Sequence, residues 1–73
     1  MTRLIPLSPA TVIRNLNKLG FSPVRQKGSH IFFRHPDGRS TVVPFHKGED
    51  ISKGLLHSIL NDIKTPLNDF LNT

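Results

Sequence analysis

Cysteine is absent from the 73-residue chain. Without thiols the chain has neither a disulfide framework nor a thiolate zinc site, which fits a reducing cytoplasm. No apolar run is long enough to span a membrane, and the start, MTRLIPLSPATVI, does not have the pattern of a signal peptide. Repeats, low-complexity tracts and linkers are also lacking. We therefore expect one cytoplasmic domain over residues 1–73, with no membrane contact.

Acidic residues are scarce in the first two-thirds of the chain. Residues 1–48 hold eight Lys or Arg and a single acidic residue, Asp37, which gives a net charge of +7. Residues 49–73 hold two basic and four acidic residues, which gives −2. The basic part suits a polyanion such as nucleic acid, and the alternative is a basic domain with no such partner.

The first helix is marked at both ends. Ser8 is a suitable N-cap and Pro9 suits the first helical position, so we expect a helix over residues 9–19. Gly20 favours the left-handed conformation that ends a helix, and Phe21 can then fold back on the last turn.

The second helix is predicted over residues 53–63, with Ser52 or Asp50 as its cap. Its apolar residues recur at helical spacing and so share one face. Thr65-Pro66 stops this helix and precedes a last short turn that carries Leu67, Phe70 and Leu71.

Three segments between the helices are predicted strands. Residues 30–34 and 40–45 are rich in aromatic and β-branched residues, and HPDGR between them predicts a hairpin turn. Residues 21–26 form a weaker strand that is expected to be at an edge or irregular, because Pro23 lacks an amide donor.

The order α-β-β-β-α, followed by a short C-terminal helix, predicts an α+β fold. A three-stranded antiparallel sheet with both long helices on one face would bury the apolar sets. Double-stranded-RNA-binding domains share this layout, but a layout alone does not give a function.

The hairpin register gathers basic side chains at one end. A turn closed by His35 and Arg39 places Phe33 opposite Thr41 and His30 opposite Pro44. The end of the hairpin away from the turn then collects Lys27, Ser29, His30, His46 and Lys47, and the start of the second helix is expected nearby. Helix N-termini present free amide groups that favour anions, so this end resembles a phosphate site.

RNA cleavage is one chemistry that such a site supports. Imidazole exchanges protons near neutral pH, so His30 can assist attack by the 2′-hydroxyl or protonate the leaving 5′ oxygen without a metal. Lys27 or Lys47 can neutralise the developing phosphorane charge, and Gly28 lets the backbone approach the substrate. The alternative is that His30 is a strand-end residue whose ring is satisfied by its neighbours.

Five stretches of the chain, in this order, resemble the HicA family of small mRNA-cleaving toxins from toxin–antitoxin modules. They are KLGF at 18–21, RQKGSHIFF at 25–33, HPDGR at 35–39, VVPFH at 42–46 and ISKGLLHSIL at 51–60. The resemblance implies a fold similar to the double-stranded-RNA-binding domain, a HicB-type antitoxin that covers the active site, and no metal or small-molecule cofactor.

The resemblance also assigns roles within the motif. The family's catalytic histidine corresponds to His30, and the histidine after P-x corresponds to His46. Many members carry a second polar residue after the motif histidine, where this chain has Ile31. That departure leaves activity expected and raises the question of altered substrate contacts.

The remaining aromatic and imidazole side chains have simpler interpretations. His35 is expected to be a solvated turn residue, and His57 a surface or partner contact. Phe32 and Phe33 point to opposite faces of their strand, so at least one lies in the core, and the other is buried elsewhere or stacks on a base. The four histidines lack a recognised zinc spacing.

The sequence therefore favours a metal-independent endoribonuclease acting on mRNA. His30 is the predicted general acid or base, and the predicted RNA-binding residues are Lys27, Gly28, Ser29, His46 and Lys47. One alternative is an RNA-binding domain without turnover. Another is a toxin-like remnant that only holds its antitoxin at an operator.

Overall fold

Residues 3–73 form three helices and three strands, in the order expected from the sequence. The computed structural model describes residues 3–73, so the first two residues of the predicted domain lie outside it. The elements are α1 (Pro9–Lys18), β1 (Ser22–Lys27), β2 (His30–Arg34), β3 (Ser40–Pro44), α2 (Lys53–Ile63) and α3 (Leu67–Leu71).

The strands form one antiparallel sheet in the order β1-β2-β3, which confirms the predicted α+β fold. His30 lies opposite Pro44 and Phe33 opposite Thr41, as the turn chemistry predicts. Phe33 is buried from one face of the sheet. On that face Phe33 packs in a core that both long helices share. Other members of this core include Val12, Leu16, Val43, Leu56 and Ile59.

Both long helices begin at a serine cap. The Ser8 side chain accepts a hydrogen bond from the amide of Thr11 at 3.2 Å, and the Ser52 side chain accepts one from the amide of Leu55 at 3.3 Å. Ser52, and not Asp50, is therefore the cap of α2. Each cap satisfies one of the amide groups that a helix start leaves without a partner.

Helix α1 ends one residue earlier than predicted, and Leu19 is its C-cap. Gly20 has the left-handed φ of 100°. The amide of Phe21 donates to the carbonyl of Leu16 at 2.9 Å, which is the bond expected at a Schellman-type stop. This stop turns the Phe21 ring into the core, where it is 1% exposed.

The strand bounds differ from the prediction at three places. Strand β1 begins at residue 22, because Phe21 belongs to the helix stop, and it extends to Lys27, which pairs with His30. A bulge between Pro23 and Arg25 interrupts the β1–β2 register. Strand β3 ends at Pro44.

The last helix is attached to the first by a buried amide. Helix α2 ends at Ile63, its C-cap Lys64 takes the left-handed conformation with φ of 53°, and Pro66 then precedes α3. The side chain of Asn15, 5% exposed, donates to the carbonyl of Phe70 at 3.1 Å. This bond holds the fully buried Phe70 against α1.

A two-residue bridge joins the segment before α1 to the segment before α2. Leu7 and Ile51 exchange both backbone hydrogen bonds, at 3.2 and 2.6 Å. Ile51 is buried at this point. Among the described residues, none of the helices has the length and apolar character needed to cross a lipid bilayer.

Candidate functional site

One face of the sheet is left without helices, and it carries most of the basic side chains of the strands. Residues paired across strands share a face, and alternate residues along a strand do too. Because Phe33 and Val43 face the helices, the opposite side carries Arg25 and Lys27 of β1, His30, Phe32 and Arg34 of β2, and Val42 and Pro44 of β3. We call this surface the open face.

His30 is the first residue of β2, directly after a two-residue turn. Lys27 is its partner on β1, so the ammonium and the imidazole stand on the same side of the sheet. Gly28 has φ of 58° and Ser29 a negative φ, the pattern of a type II′ hairpin turn, which needs glycine first. Both His30 and Lys27 are exposed.

The third strand borders the same end of the sheet. Pro44 lies opposite His30, and the amide of Phe45 donates to the carbonyl of Ser29 at 2.7 Å, one step beyond the ladder. The chain then reverses in a tight turn in which the amide of Glu49 donates to the carbonyl of His46 at 3.0 Å. Lys47 is exposed within this turn.

His46 lies beside the start of α2, together with acidic residues. It lines a shallow cavity that also contains Ser52, Leu55, Glu49 and Asp50. The two carboxylates add negative charge beside the helix start, where the sequence had indicated a site built from lysines and histidines. An anion is therefore better accommodated beside Lys27 and the Gly28–Ser29 turn than at the N-terminus of α2.

The HPDGR hairpin is a structural feature. His35 was predicted to be a solvated turn residue, but it is half-buried and its ring centre lies 5.0 Å from that of Phe21. Its ring also lies directly over Gly20. Phe21 and Gly20 are far from the turn in sequence, so the turn pattern alone does not reveal this packing.

Arg39 ties the same turn to α2. Its guanidinium donates to the carbonyl of Ile63 and, at 2.8 Å, to the carboxylate of Asp37, and it lies 5.1 Å from the Phe21 ring centre. The backbone amide of Arg39 donates to that carboxylate too, and this bond is the main reason that the pKa of Asp37 lies below its ordinary value of 3.8. Neither residue shares the open face with His30.

The two phenylalanines of β2 point to opposite faces of the sheet, as the alternation of side chains along a strand requires. Phe33 is 1% exposed in the core, and Phe32 is half-buried on the open face, where the Arg25 guanidinium lies 4.5 Å from its ring centre. Ile31 packs against the core from the other side of the strand. A change of polarity at position 31 therefore acts on the core first, and not on contacts at the open face.

His57 occupies another part of the surface. It is exposed on α2 and lines a groove with Leu4, Lys64 and Leu67, within the helical layer. It therefore makes no contribution to the open face. Within residues 3–73, no group of three or more metal-ligating side chains lies together.

The same stretches that form the turns and the open face match a known family. A family model described as HicA toxin of bacterial toxin–antitoxin matches residues 10–64, from the start of α1 to the end of α2. The chain belongs to the HicA toxin family. This HicA protein is therefore a toxin of a toxin–antitoxin system, and an antitoxin is its implied partner. No curated protein matched the chain.

HicA toxins are known as RNA-cleaving toxins. Of the predicted site residues, the structure brings Lys27, Gly28, Ser29 and His30 together at one turn. His46 and Lys47 lie in the adjoining turn that leads to α2. Sequence reasoning did not include Arg25 and Arg34, which stand on the same face as His30; the alternation along paired strands was the signal that pointed to them.

Proposed function

We propose that this HicA protein is a metal-independent endoribonuclease that cleaves mRNA, with His30 as its general acid or base. The observation that carries the proposal is the pairing of an exposed imidazole with an exposed ammonium, His30 with Lys27, on the face that the helices leave open. Family membership supplies the expectation of RNA cleavage.

The reaction needs the RNA, these side chains and solvent water. The 2′-hydroxyl loses its proton and its oxygen bonds to the adjacent phosphorus, while the bond from phosphorus to the 5′ oxygen breaks and that oxygen gains a proton. The products are a 2′,3′-cyclic phosphate and a 5′-hydroxyl. His30 carries one of the two protons, and water carries the other.

The surroundings of His30 suit the charge that develops on phosphorus. Lys27 stands beside it, and the Gly28–Ser29 turn offers a backbone that a substrate can approach without meeting a Cβ atom at residue 28. A cation at the phosphate stabilises the phosphorane more than the starting diester, which lowers the barrier. Lys47, exposed in the adjoining turn, is the second cation of the proposed site.

A HicB-type antitoxin would inhibit the enzyme by covering the open face. The strands there present basic residues and no acidic ones, so an acidic antitoxin surface complements them. Because RNA needs the same surface, toxin held by the antitoxin cannot cleave, and addition of purified antitoxin should suppress cleavage in proportion to the complex formed.

The decisive test compares wild type with His30→Ala on a long RNA in the presence of a chelator. General acid–base catalysis contributes about 10²- to 10⁴-fold, so the variant should cleave at least about 100-fold more slowly. A 2′-deoxy nucleotide at a mapped cleavage site should block cleavage there, because the nucleophile is missing.

The matched control is His57→Ala, which removes an exposed imidazole from the helical layer. It should keep wild-type cleavage, and circular dichroism should show both variants folded. If folded His30→Ala cleaves at the wild-type rate, the catalytic assignment is wrong. If wild type binds RNA and releases no products, the protein is a binding module instead.

A further inference from the structure

Two rungs of the β1–β2 ladder that face the same side repeat one arrangement on the open face. Lys27 pairs with His30 and Arg25 pairs with Phe32, so each rung sets a cation on β1 beside a ring on β2. The rung between them faces the core, so the two lie two residues apart along the strand, which is about 7 Å. One nucleotide of an extended single strand spans a similar length.

In the second rung, the cation and the ring are already in contact. The Arg25 guanidinium lies 4.5 Å from the Phe32 ring centre, and Val42 borders the ring from β3. Arg25 is exposed, and within residues 3–73 no carboxylate pairs with it, since the ion pairs there all involve Asp37. The core does not need Phe32 either, because Phe33 fills it from the other side of the strand.

We propose that Arg25 and Phe32 form a base-stacking platform that positions single-stranded RNA beside His30. The inference rests on the proposed function and names its substrate class. The base of the nucleotide next to the scissile linkage stacks on one side of the Arg25 guanidinium. The Phe32 ring packs against the other side of that guanidinium. Nucleobases in single strands stack well on aromatic rings and on guanidinium planes.

The strand path follows from the same geometry. With one base on Arg25, the adjoining phosphate reaches Lys27 and His30 at the start of β2, and the chain continues toward Arg34 at its other end. A duplex does not fit this arrangement, because its bases stay stacked inside the helix and cannot reach a platform on a protein surface. The open face therefore selects unpaired RNA.

The test measures stacking directly, with RNA that cannot be cleaved. The probe is a short oligouridine, 2′-O-methylated throughout, that carries a single 2-aminopurine whose fluorescence falls when it stacks on the protein. Wild type should quench the probe and bind it. Phe32→Leu keeps an apolar side chain but removes the ring, so it should bind at least about 5-fold more weakly.

Arg25→Lys keeps the charge and removes the planar guanidinium, so it should lose the quenching and most of the affinity that stacking provides. Its matched control is Arg34→Lys, the same substitution on the same face, where the cation meets phosphate only and quenching should persist. Thermal unfolding of each variant checks that the fold is kept.

Three results would overturn the platform. One is equal quenching by wild type and Arg25→Lys. Another is a duplex RNA that competes for the probe as well as an unpaired strand does. The third is that Phe32→Leu and Arg25→Lys both bind RNA normally but no longer co-purify with the antitoxin. This surface would then be a protein interface.

These outcomes separate the platform from the catalytic assignment. His30→Ala should still quench the probe, because the ring at position 30 does not take part in stacking. If that variant also cleaves normally, the nuclease assignment fails while the platform stands. If His30→Ala is inactive and Phe32→Leu is unchanged in both binding and cleavage, the platform fails and the nuclease stands.

Discussion

At the scale of single residues, Gly20 is the position where backbone and side-chain requirements coincide. Its φ of 100° belongs to a region that residues with a Cβ atom rarely adopt. A Cβ atom there would also lie 2.9 Å from Nε2 of His35, whose ring packs on Phe21. The glycine thus ends α1 and makes room for a side chain from the distant hairpin.

Gly20→Ala should therefore lower the free energy of unfolding by about 1–3 kcal/mol, because the helix stop is strained and His35 must move. Urea unfolding followed by circular dichroism measures the change. The matched control is Gly54→Ala, inside α2 with open space around it, which should raise stability by up to about 1 kcal/mol. Equal effects of the two substitutions would contradict this account.

The sequence allows a residue's role to be predicted when that role depends on neighbours in the chain. Ser8 was the predicted cap of α1 and Ser52 one of two candidates for α2, because a cap bonds to an amide three residues away. His35 was predicted as solvated, because its packing on Phe21 joins segments that only the folded chain brings together. The pairing of Arg25 with Phe32 was missed because the β1–β2 turn at Gly28–Ser29, which sets the register of Lys27 through Arg25, was not used to pair these two strands.

At the scale of elements, Arg39 joins the β2–β3 hairpin to the end of α2. Its bond to the Ile63 carbonyl satisfies one of the groups that a helix end leaves free, and its positive charge suits the negative end of the helix dipole. Thr41 of β3 adds a second link, since its hydroxyl donates to Asp62 at 3.0 Å. The helix is therefore held to the sheet by polar contacts as well as by the core.

Arg39→Gln should lower the free energy of unfolding by about 1–3 kcal/mol, since Asp37 loses its ion pair with Arg39 and the Ile63 carbonyl loses its charged donor and keeps only the Thr65 hydroxyl. Chemical unfolding gives the value. Arg34→Gln is the control on the same hairpin, and as an exposed substitution it should stay within about 0.5 kcal/mol of wild type. A similar loss in both variants would mean that general charge, and not this contact, stabilises the hairpin.

At this scale, the sequence predicts pairings that follow from a local turn, such as the register of the hairpin. A turn closed by His35 and Arg39 fixes every later pair, so the position of His30 opposite Pro44 could be predicted and is confirmed. The bridge between Leu7 and Ile51 and the link from Asn15 to Phe70 could not, because no local pattern indicates partners so far apart in the chain.

At the scale of the whole molecule, charge is divided between layers. The strands carry Arg and Lys on the open face, while four of the five acidic residues follow β3 in the chain. This distribution makes the open face attractive to a polyanion, while the helical layer carries Asp62 and Asp69. The binding of RNA should therefore depend strongly on salt.

If Lys27, Arg34 and Lys47 contact phosphates, the slope of log Kobs against log salt for single-stranded RNA should be about −2. Lys27→Gln should make the slope shallower by about 0.7, because one phosphate contact is lost. Lys18→Gln, an exposed change on α1, should leave it unaltered. Fluorescence titrations at several salt concentrations give these slopes, and equal slopes for all three proteins would place the RNA elsewhere.

The prolines of the outer strands affect how readily copies of the protein pair through their sheet edges at high concentration. Strands β1 and β3 form the two borders of the sheet, and each contains a residue without an amide hydrogen, Pro23 and Pro44. A border that lacks a donor, or is bent by a bulge, is a poor template for another copy to extend. We therefore expect toxin freed from its antitoxin to resist fibril-like self-association.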